Sequence, residues 1–429
     1  MSKAVKYLPY LVVIICLIVS ATRYYSFINN FAFGDLHIKI QGARDMAEDS
    51  SAYFYHNKRV DTLTTQQPAV TGLTSTPFVT YLHTPFINLT RCDSKKIYFW
   101  IEYFLFFCCF TLVIYLTKSV IRRYIQCASL LLFFLFSRYF FFHLDGQVYV
   151  LYALFFLILM ALLSRGNNFM FGVVFALAIF CRPVFILTAP LFLLYYNKQL
   201  IKGLIAGIAL LAVFTVFTHT VYYWKEYQQS MKLYSYENPH YFNKQEPFKK
   251  IIAIKAAGNC YEPVDWNKIF ALRGGRRKPG LLYPLQSYLL NNKITITNTL
   301  FYSLITLAIT AAIIFLMRKK YKSILPYQLM AASFIFYIVA DVCIPAPRGD
   351  YNFIIWMFGA FVVIAYGNRL AAALMLLGLV LNHTYPSTFW LGQYGEGIML
   401  IACLIVVFTP AKNNIIASDN RTLLKQPKT

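Results

Sequence analysis

Gly34-Asp35-Leu36-His37 opens the stretch GDLHIKIQGARDMAEDS (residues 34–50), which follows the first hydrophobic segment of the chain almost at once. Apolar residues recur here at steps of four, three and four, the spacing of one helical face: Leu36, Ile40, Ala43 and Ala47. Charged residues, among them Lys39 and Arg44, lie largely off that stripe. The pattern predicts an amphipathic helix that lies on a surface, with the carboxylate of Asp35 at its start.

Composition makes that surface a membrane. The chain has 429 residues, of which 59% are hydrophobic and 13% are charged, whereas a soluble domain has about 25% charged residues. We therefore expect an all-α polytopic membrane protein. The net charge of +23 would suggest a nucleic-acid partner in a soluble protein. Here the basic residues divide between cytoplasmic loops and one basic outer loop, so we expect no nucleic acid.

Hydrophobic runs predict about twelve transmembrane helices, several of them short for a full crossing of about 20 residues. They lie near 7–27, 97–117, 124–143, 147–163, 168–181, 183–197, 202–224, 294–317, 324–344, 351–367, 370–383 and 397–410. The first run resembles a signal peptide, but Ser20-Ala21-Thr22 is a poor cleavage site, so we expect it to remain as a membrane anchor.

The positions of lysine and arginine predict which loops face the cytoplasm. With an inside N-terminus, the cytoplasmic connections are rich in these residues and the short outer turns are poor in them, the positive-inside pattern. Twelve spans then place both termini and the tail, 411–429, in the cytoplasm. The two long loops, about 28–96 and 225–293, lie outside, and the chain forms one domain over 1–429.

The first outer loop contains a second helical pattern before the second span. Its apolar stripe consists of Phe78, Tyr81, Leu82, Phe86 and Leu89, which predicts a second amphipathic surface helix. The nine cysteines show no metal-binding spacing. Cys92 and Cys260 fall in the two large outer loops, where they would pair if that side is oxidising.

Ionisable and polar groups in or beside a span are costly, so each is a candidate for function. In the predicted topology eight of them face the same side as Asp35: Arg138, His143, Asp145, Gln147, Arg182, Asp341, Arg348 and Asp350. Each also has a structural interpretation. Arg138 would reach the outer headgroups, Arg182 would cap a helix pair, Arg348 would pair with Asp341, and Asp35 would cap its helix.

One carboxylate and several arginines beside a bilayer suit the transfer of a sugar from a lipid phosphate. The acceptor hydroxyl loses a proton as it attacks the anomeric carbon, which requires a general base such as Asp35. The leaving phosphate gains charge, which arginine donors stabilise. No nucleotide-binding glycine loop and no acidic cluster typical of a metal site is visible, although a divalent metal requirement stays open.

The chain resembles the polyprenol-phosphate-mannose-dependent mannosyltransferases of the GT-C superfamily, which include bacterial phosphatidylinositol-mannoside mannosyltransferases. Four features carry the resemblance, in order and spacing. They are Asp35 with the helix that follows it, Thr76-Pro77 with Thr84-Pro85, the turn Gly146-Gln147-Val148-Tyr149, and a glycine-marked span followed by Arg182-Pro183. The family often has His-Tyr where this chain has Asp350-Tyr351, and Asn where it has Tyr149, so substrate identity stays open.

The resemblance implies an inverting membrane glycosyltransferase of the bacterial inner membrane with an outward-facing site. It would move a sugar, with mannose as the first expectation, from a polyprenyl-phosphate donor to a hydroxyl of a glycolipid or glycan acceptor, with no further cofactor. Asp35 would be the general base. The residues expected to bind the donor phosphate or other parts of the substrates are Arg44, Arg138, His143, Gln147, Arg182, Arg348 and Asp350.

Two other functions are compatible with the sequence. An O-antigen ligase or polymerase also joins lipid-linked sugars outside, but usually places its critical Arg and His residues in a later outer loop. A transporter or flippase often has twelve spans with inside termini, yet it commonly shows two similar halves and a large central cytoplasmic loop. The link after the sixth predicted span is short here, Asn197 to Lys202.

Overall fold

The computed structural model describes residues 3–25, 28, 34–53, 73–117, 121–192, 197–241, 298–320, 324–343, 350–384 and 389–409. Within these ranges every regular element is helical and no strand occurs, which confirms the prediction of an all-α protein. The described helices are α1 Lys3–Tyr25, α2 Gly34–Ala47, α3 Pro77–Tyr81, α4 Arg91–Thr117, α5 Ile121–Leu135, α6 Arg138–His143, α7 Tyr149–Ser164, α8 Asn168–Cys181, α9 Ala189–Phe192, α10 Lys198–Phe217, α11 Val221–Tyr241, α12 Asn298–Lys320, α13 Pro326–Cys343, α14 Trp356–Tyr366, α15 Arg369–Thr384 and α16 Phe389–Phe408. Three 3-10 helices join them, at Thr84–Phe86, Pro183–Thr188 and Asp350–Ile355.

Two of the described helices, α4 and α10, are long and apolar enough to cross a membrane. Eight further apolar helical stretches are 10–17 residues long. Several of the predicted runs are divided. The run 124–143 breaks into α5 and α6, because the Ser137 hydroxyl accepts from the Phe140 N–H at 3.3 Å and begins a new helix there.

Two more predicted spans are interrupted. The described part of 183–197 is a 3-10 helix followed by the short α9, since Pro183 at the first position cannot continue the hydrogen bonding of α8. The run 202–224 divides into α10 and α11 at the turn formed by Thr218, His219 and Thr220. His219 has φ 53° in that turn, which a helix interior does not allow.

Glycines allow α8 and α10 to pack with their backbones in contact. A side chain at Gly203 would collide with the backbone carbonyl of Phe169, and one at Gly172 would lie 2.5 Å from the amide nitrogen of Leu204. Such small-residue contacts are typical of helix pairs that associate without a large hydrophobic gain. Arg182 directly follows α8, so it lies at one end of this close helix pair.

Large apolar side chains are exposed on the outside of the bundle. On α10 the side chains of Ile205, Leu210, Val216 and Phe217 are exposed, while Gly203 and Gly207 face the interior. The centre is an aromatic cluster in which the Phe156 ring lies 5.0 Å from Phe358 and 5.4 Å from Phe334. A helix with exposed apolar residues of this extent requires an apolar surrounding or a partner.

Helix α2 forms as predicted, but it faces the protein differently. Leu36, Ile40 and Ala43 are buried, whereas Ala47 at the end of the predicted stripe is exposed. Lys39, one of the charged residues placed largely off the apolar stripe, is nevertheless buried, with a side chain that is only 6% exposed. Its ammonium finds a backbone carbonyl inside the molecule, which periodicity alone does not reveal.

The second predicted surface helix is shorter than expected. It consists of α3 and the 3-10 helix Thr84–Phe86, interrupted because Pro85 restricts the backbone. Phe78 and Phe86 of the predicted stripe are buried, but Leu82 and Leu89 are exposed. The predicted stripe is therefore correct for only part of its length.

Candidate functional site

Asp35 lies in the first turn of α2, and another residue completes the start of that helix. The Asp145 carboxylate accepts from the Gly34 N–H at 2.8 Å, and the Asp145 carbonyl accepts from the Leu36 N–H at 3.1 Å. Free N–H groups at a helix start normally require such acceptors. The capping role considered for Asp35 therefore falls to Asp145, and the Asp35 carboxylate is available for other contacts.

The Asp35 carboxylate is held by Gln147, whose side-chain amide donates to Oδ2. Gln147 is itself fixed at both ends of its backbone: its N–H donates to the His143 carbonyl at 3.0 Å, and its carbonyl accepts from the Tyr98 hydroxyl at 2.6 Å. Asp35 is half-buried. One carboxylate oxygen is thus oriented by the protein while the residue keeps access to its surroundings.

The turn that presents Gln147 depends on a glycine. Gly146 has φ +105°, a conformation that L side chains rarely adopt. A Cβ at this position would also lie 2.6 Å from the Cα of Leu36. The start of α2 therefore lies directly on the backbone of this turn. Any residue larger than glycine at position 146 would collide with it.

His143, expected to bind substrate, faces the protein with both ring nitrogens. Its Nε2 accepts from the N–H groups of Tyr149 and Val150, at 2.8 and 3.2 Å, and so caps α7. Its Nδ1 lies 3.3 Å from Oε2 of Glu102, and both side chains are fully buried. This geometry favours a role in positioning the 144–148 turn over direct contact with substrate.

Arg182 ends α8 and forms an ion pair with Asp341 of α13, Nη2 to Oδ1 at 2.8 Å. The side chain of Arg182 is 22% exposed, whereas that of Asp341 is 2% exposed. The guanidinium also lies 5.8 Å above the ring of Tyr152. Asp341 thus has Arg182 as an ion-pair partner, and the pair expected between Asp341 and Arg348 involves a residue outside the described part of the chain.

Two tyrosines of α7 connect the neighbourhoods of Asp35 and Arg182. Tyr149 follows the Gln147 turn, and its ring lies 6.3 Å from that of His143. The ring of Tyr152 lies 5.5 Å from that of Tyr149 and under the Arg182 guanidinium. Both phenol groups fall within electrostatic range of Arg182. The two neighbourhoods therefore share one face of α7.

The other predicted site residues are not brought to Asp35 by a described contact. Arg44 lies nine positions later on α2, about 13 Å along the axis, and donates to the Ile87 carbonyl at 2.7 Å. Arg138 donates to the Tyr139 hydroxyl at 3.0 Å and lies 4.9 Å above its ring. Arg348 lies outside the described residues. Asp350 begins a 3-10 helix, and its side chain lies outside the described part.

No family model, curated protein or solved structure matches the chain. The site therefore rests on its own geometry. Within the part of the chain that the structure describes, no group of three or more His, Cys, Asp or Glu residues could hold a metal ion.

Sequence reasoning missed Lys39 and Glu102 as parts of this site. Lys39 stands four positions after Asp35, a spacing that places both on one face of a helix. Glu102 is an acid within an apolar run, which is itself a signal of a polar partner. The missing information was the partner in each case, since the Gly146 carbonyl and the His143 ring come from a distant turn.

Proposed function

We propose that this protein is an integral membrane glycosyltransferase that moves a sugar from a polyprenyl-phosphate donor to an acceptor hydroxyl with inversion. Mannose is the donor sugar to test first, and the acceptor is a glycolipid or glycan on the outer face. Asp35 acts as the general base. Sequence order and spacing similar to the GT-C mannosyltransferases support the substrate class, and the geometry around Asp35 supports the role of the base.

The observation that carries the proposal is the orientation of Asp35. Asp145 supplies the acceptors at the start of α2, and Gln147 fixes one oxygen of the Asp35 carboxylate. A general base must lie within hydrogen-bond reach of the hydroxyl that it deprotonates. A half-buried carboxylate that Gln147 orients through one oxygen is suited to this role for an acceptor that arrives from outside.

Arg182 is the proposed donor-phosphate ligand. Its guanidinium is held by Asp341 and lies over Tyr152, so its orientation is set before substrate binds. Preorganised donors stabilise charge that develops on a leaving group without further reorganisation. Contributions of Arg44, Arg138, Arg348 and Asp350 to substrate binding remain part of the proposal, whereas His143 would act through the turn that it supports.

The proposed setting is a bacterial inner membrane, with about twelve spans, both termini in the cytoplasm and the site outward. Two long apolar helices, several shorter ones and the exposed apolar face of α10 support a membrane location. Cys92, at the start of α4, takes part in a disulfide bond. Disulfides are typical of oxidising compartments, which favours an outer location for this end of α4.

The test uses purified protein in proteoliposomes with radiolabelled polyprenyl-phosphate mannose and a membrane lipid extract. We expect Asp35→Asn to lower the transfer rate by about 10²- to 10⁴-fold, because the amide cannot accept the proton. Asp49→Asn is the matched control. Asp49 is exposed two residues beyond α2 with φ 52°, a conformation that asparagine tolerates.

Full transfer by Asp35→Asn would exclude Asp35 as the base. A wild-type protein that instead concentrates a solute inside the vesicles, with no glycosylated product, would contradict the transferase and favour a carrier. Transfer from a polyprenyl-diphosphate-linked oligosaccharide, with none from the monophosphate donor, would favour a ligase or polymerase.

A further inference from the structure

Lys39 is buried in the candidate site, and its ammonium group has a hydrogen-bond partner there. Its side chain is 6% exposed, and its ammonium donates to the carbonyl oxygen of Gly146. Removing an ammonium from water is costly unless opposite charges and hydrogen bonds compensate. A lysine in this position is therefore maintained by specific partners, and its removal would leave those partners without their counter-charge.

The partners come from three different elements. The carboxylates of Asp35 on α2, Glu102 on α4 and Asp145 in the 144–148 turn all stabilise the charged form of Lys39. Burial lowers the pKa of Lys39, and these three carboxylates oppose that effect. On the other side, the charge of Lys39 acts on His83, whose pKa burial and Lys39 together lower to about 4. One ammonium thus connects helix α2 with the surrounding elements.

The spacing of the contacts shows what Lys39 controls. Lys39 and Asp35 are one helical turn apart, about 6 Å along the axis of α2, and both face the same turn. Asp35 accepts from the Gln147 side chain, while Lys39 donates to the carbonyl of the preceding residue, Gly146. Two neighbouring residues of the turn are therefore held by two residues on successive turns of the helix.

We propose that Lys39 is a positioning residue, which docks α2 on the 144–148 turn and so fixes the contact between Asp35 and Gln147. The catalytic consequence rests on the proposed function, whereas the docking itself does not. Displacing a catalytic group by about 1 Å can cost about 100-fold in rate. Loss of the Lys39 contact is therefore expected to reduce the rate of the chemical step more than substrate affinity.

The experiment compares wild type with Lys39→Met, Lys39→Arg and Lys198→Met. Lys198 is exposed at the start of α10 and serves as the matched control. For Lys39→Met we expect kcat to fall by about 10- to 100-fold, with an unchanged KM for the donor. Lys39→Arg retains the charge and should lie between Lys39→Met and wild type, and Lys198→Met should equal wild type.

Hydrogen exchange of the same proteins gives a readout without substrate. Amides of residues 34–47 should exchange faster in Lys39→Met than in wild type, while amides of α10 remain unchanged. Wild-type exchange and wild-type kcat in Lys39→Met would overturn the proposal.

Two further outcomes are decided by the same measurements. If Lys39→Met does not fold, Lys39→Arg carries the test. The guanidinium is larger than the ammonium that contacts the Gly146 carbonyl, so we expect slower turnover and faster exchange of α2, which would support the proposal, and equality with wild type would overturn it. If no form of the protein transfers sugar, the proposed function fails, and the exchange comparison alone still decides whether Lys39 docks α2.

Discussion

Asp35 and Gln147 are 112 positions apart, yet the side-chain amide of one donates to the carboxylate of the other. Local sequence patterns predict both residues as candidates for the site: Asp35 follows the first hydrophobic segment, and Gln147 follows a glycine. The contact between them is not local, because it requires α2 to lie on a turn that begins more than a hundred residues later.

Replacing Gln147 by leucine tests whether the orientation of Asp35 matters. Leucine has a similar volume but cannot donate to the carboxylate. A hydrogen bond to a charged group contributes about 1.5–3 kcal/mol, so we expect kcat of the proposed transfer to fall about 10- to 100-fold. Gln199→Leu is the matched control, because its side chain is exposed on α10. An unchanged kcat in Gln147→Leu would show that Asp35 needs no orienting donor.

At the scale of the elements, periodicity identified α2 but did not reveal that Lys39 is buried. A lysine off an apolar stripe is normally solvated, and only the Gly146 carbonyl and carboxylates from three elements make its burial possible. The same limit explains the stripe of the second surface helix. Leu82 and Leu89 fit a helical spacing, but Pro85 divides the segment into α3 and a 3-10 helix, which turns both residues outward.

The segment around α3 should make stability depend on pH. His83 donates from Nδ1 to the Val79 carbonyl at 2.8 Å, lies stacked near Tyr98, and has its pKa lowered from 6.5 to about 4 by burial and then by Lys39. Between these values the unfolded chain binds a proton that the folded chain excludes. Stability should therefore rise with pH across this window, by up to about 1.4 kcal/mol per pH unit.

His83→Phe keeps the ring and removes the proton. We expect its unfolding free energy to depend less on pH between 4 and 6.5 than that of wild type, as measured by chemical denaturation in a mild detergent. His219→Asn is the control, since His219 is exposed in the turn between α10 and α11 and asparagine tolerates its φ of 53°. Equal pH dependence in wild type and His83→Phe would show that His83 is not a neutral, buried group.

At the scale of the whole molecule, composition was sufficient for the helical class but not for the helix boundaries. Hydrophobic runs merge helices that polar details separate, as Ser137 separates α5 from α6 and His219 separates α10 from α11. Span number and orientation depend on such boundaries. The charge pattern of the loops predicts twelve spans, and a measurement of which side of the membrane each loop occupies tests that number.

Cys92 provides that measurement. It is disulfide-bonded, and Cys260, in the other large outer loop, is the partner to test, because the two would pair if that side is oxidising. Peptide mapping without reduction should therefore recover a peptide from 91–95 linked to one that contains Cys260.

In sealed right-side-out vesicles, a membrane-impermeant reductant should make Cys92 reactive toward an impermeant maleimide, because the predicted topology places the start of α4 outside. A cysteine introduced at Lys198, on a loop predicted to be cytoplasmic, should react only after the vesicles are opened. Reaction of both positions from the same side would require an even number of spans between them, whereas the twelve-span topology predicts five, and would overturn that topology.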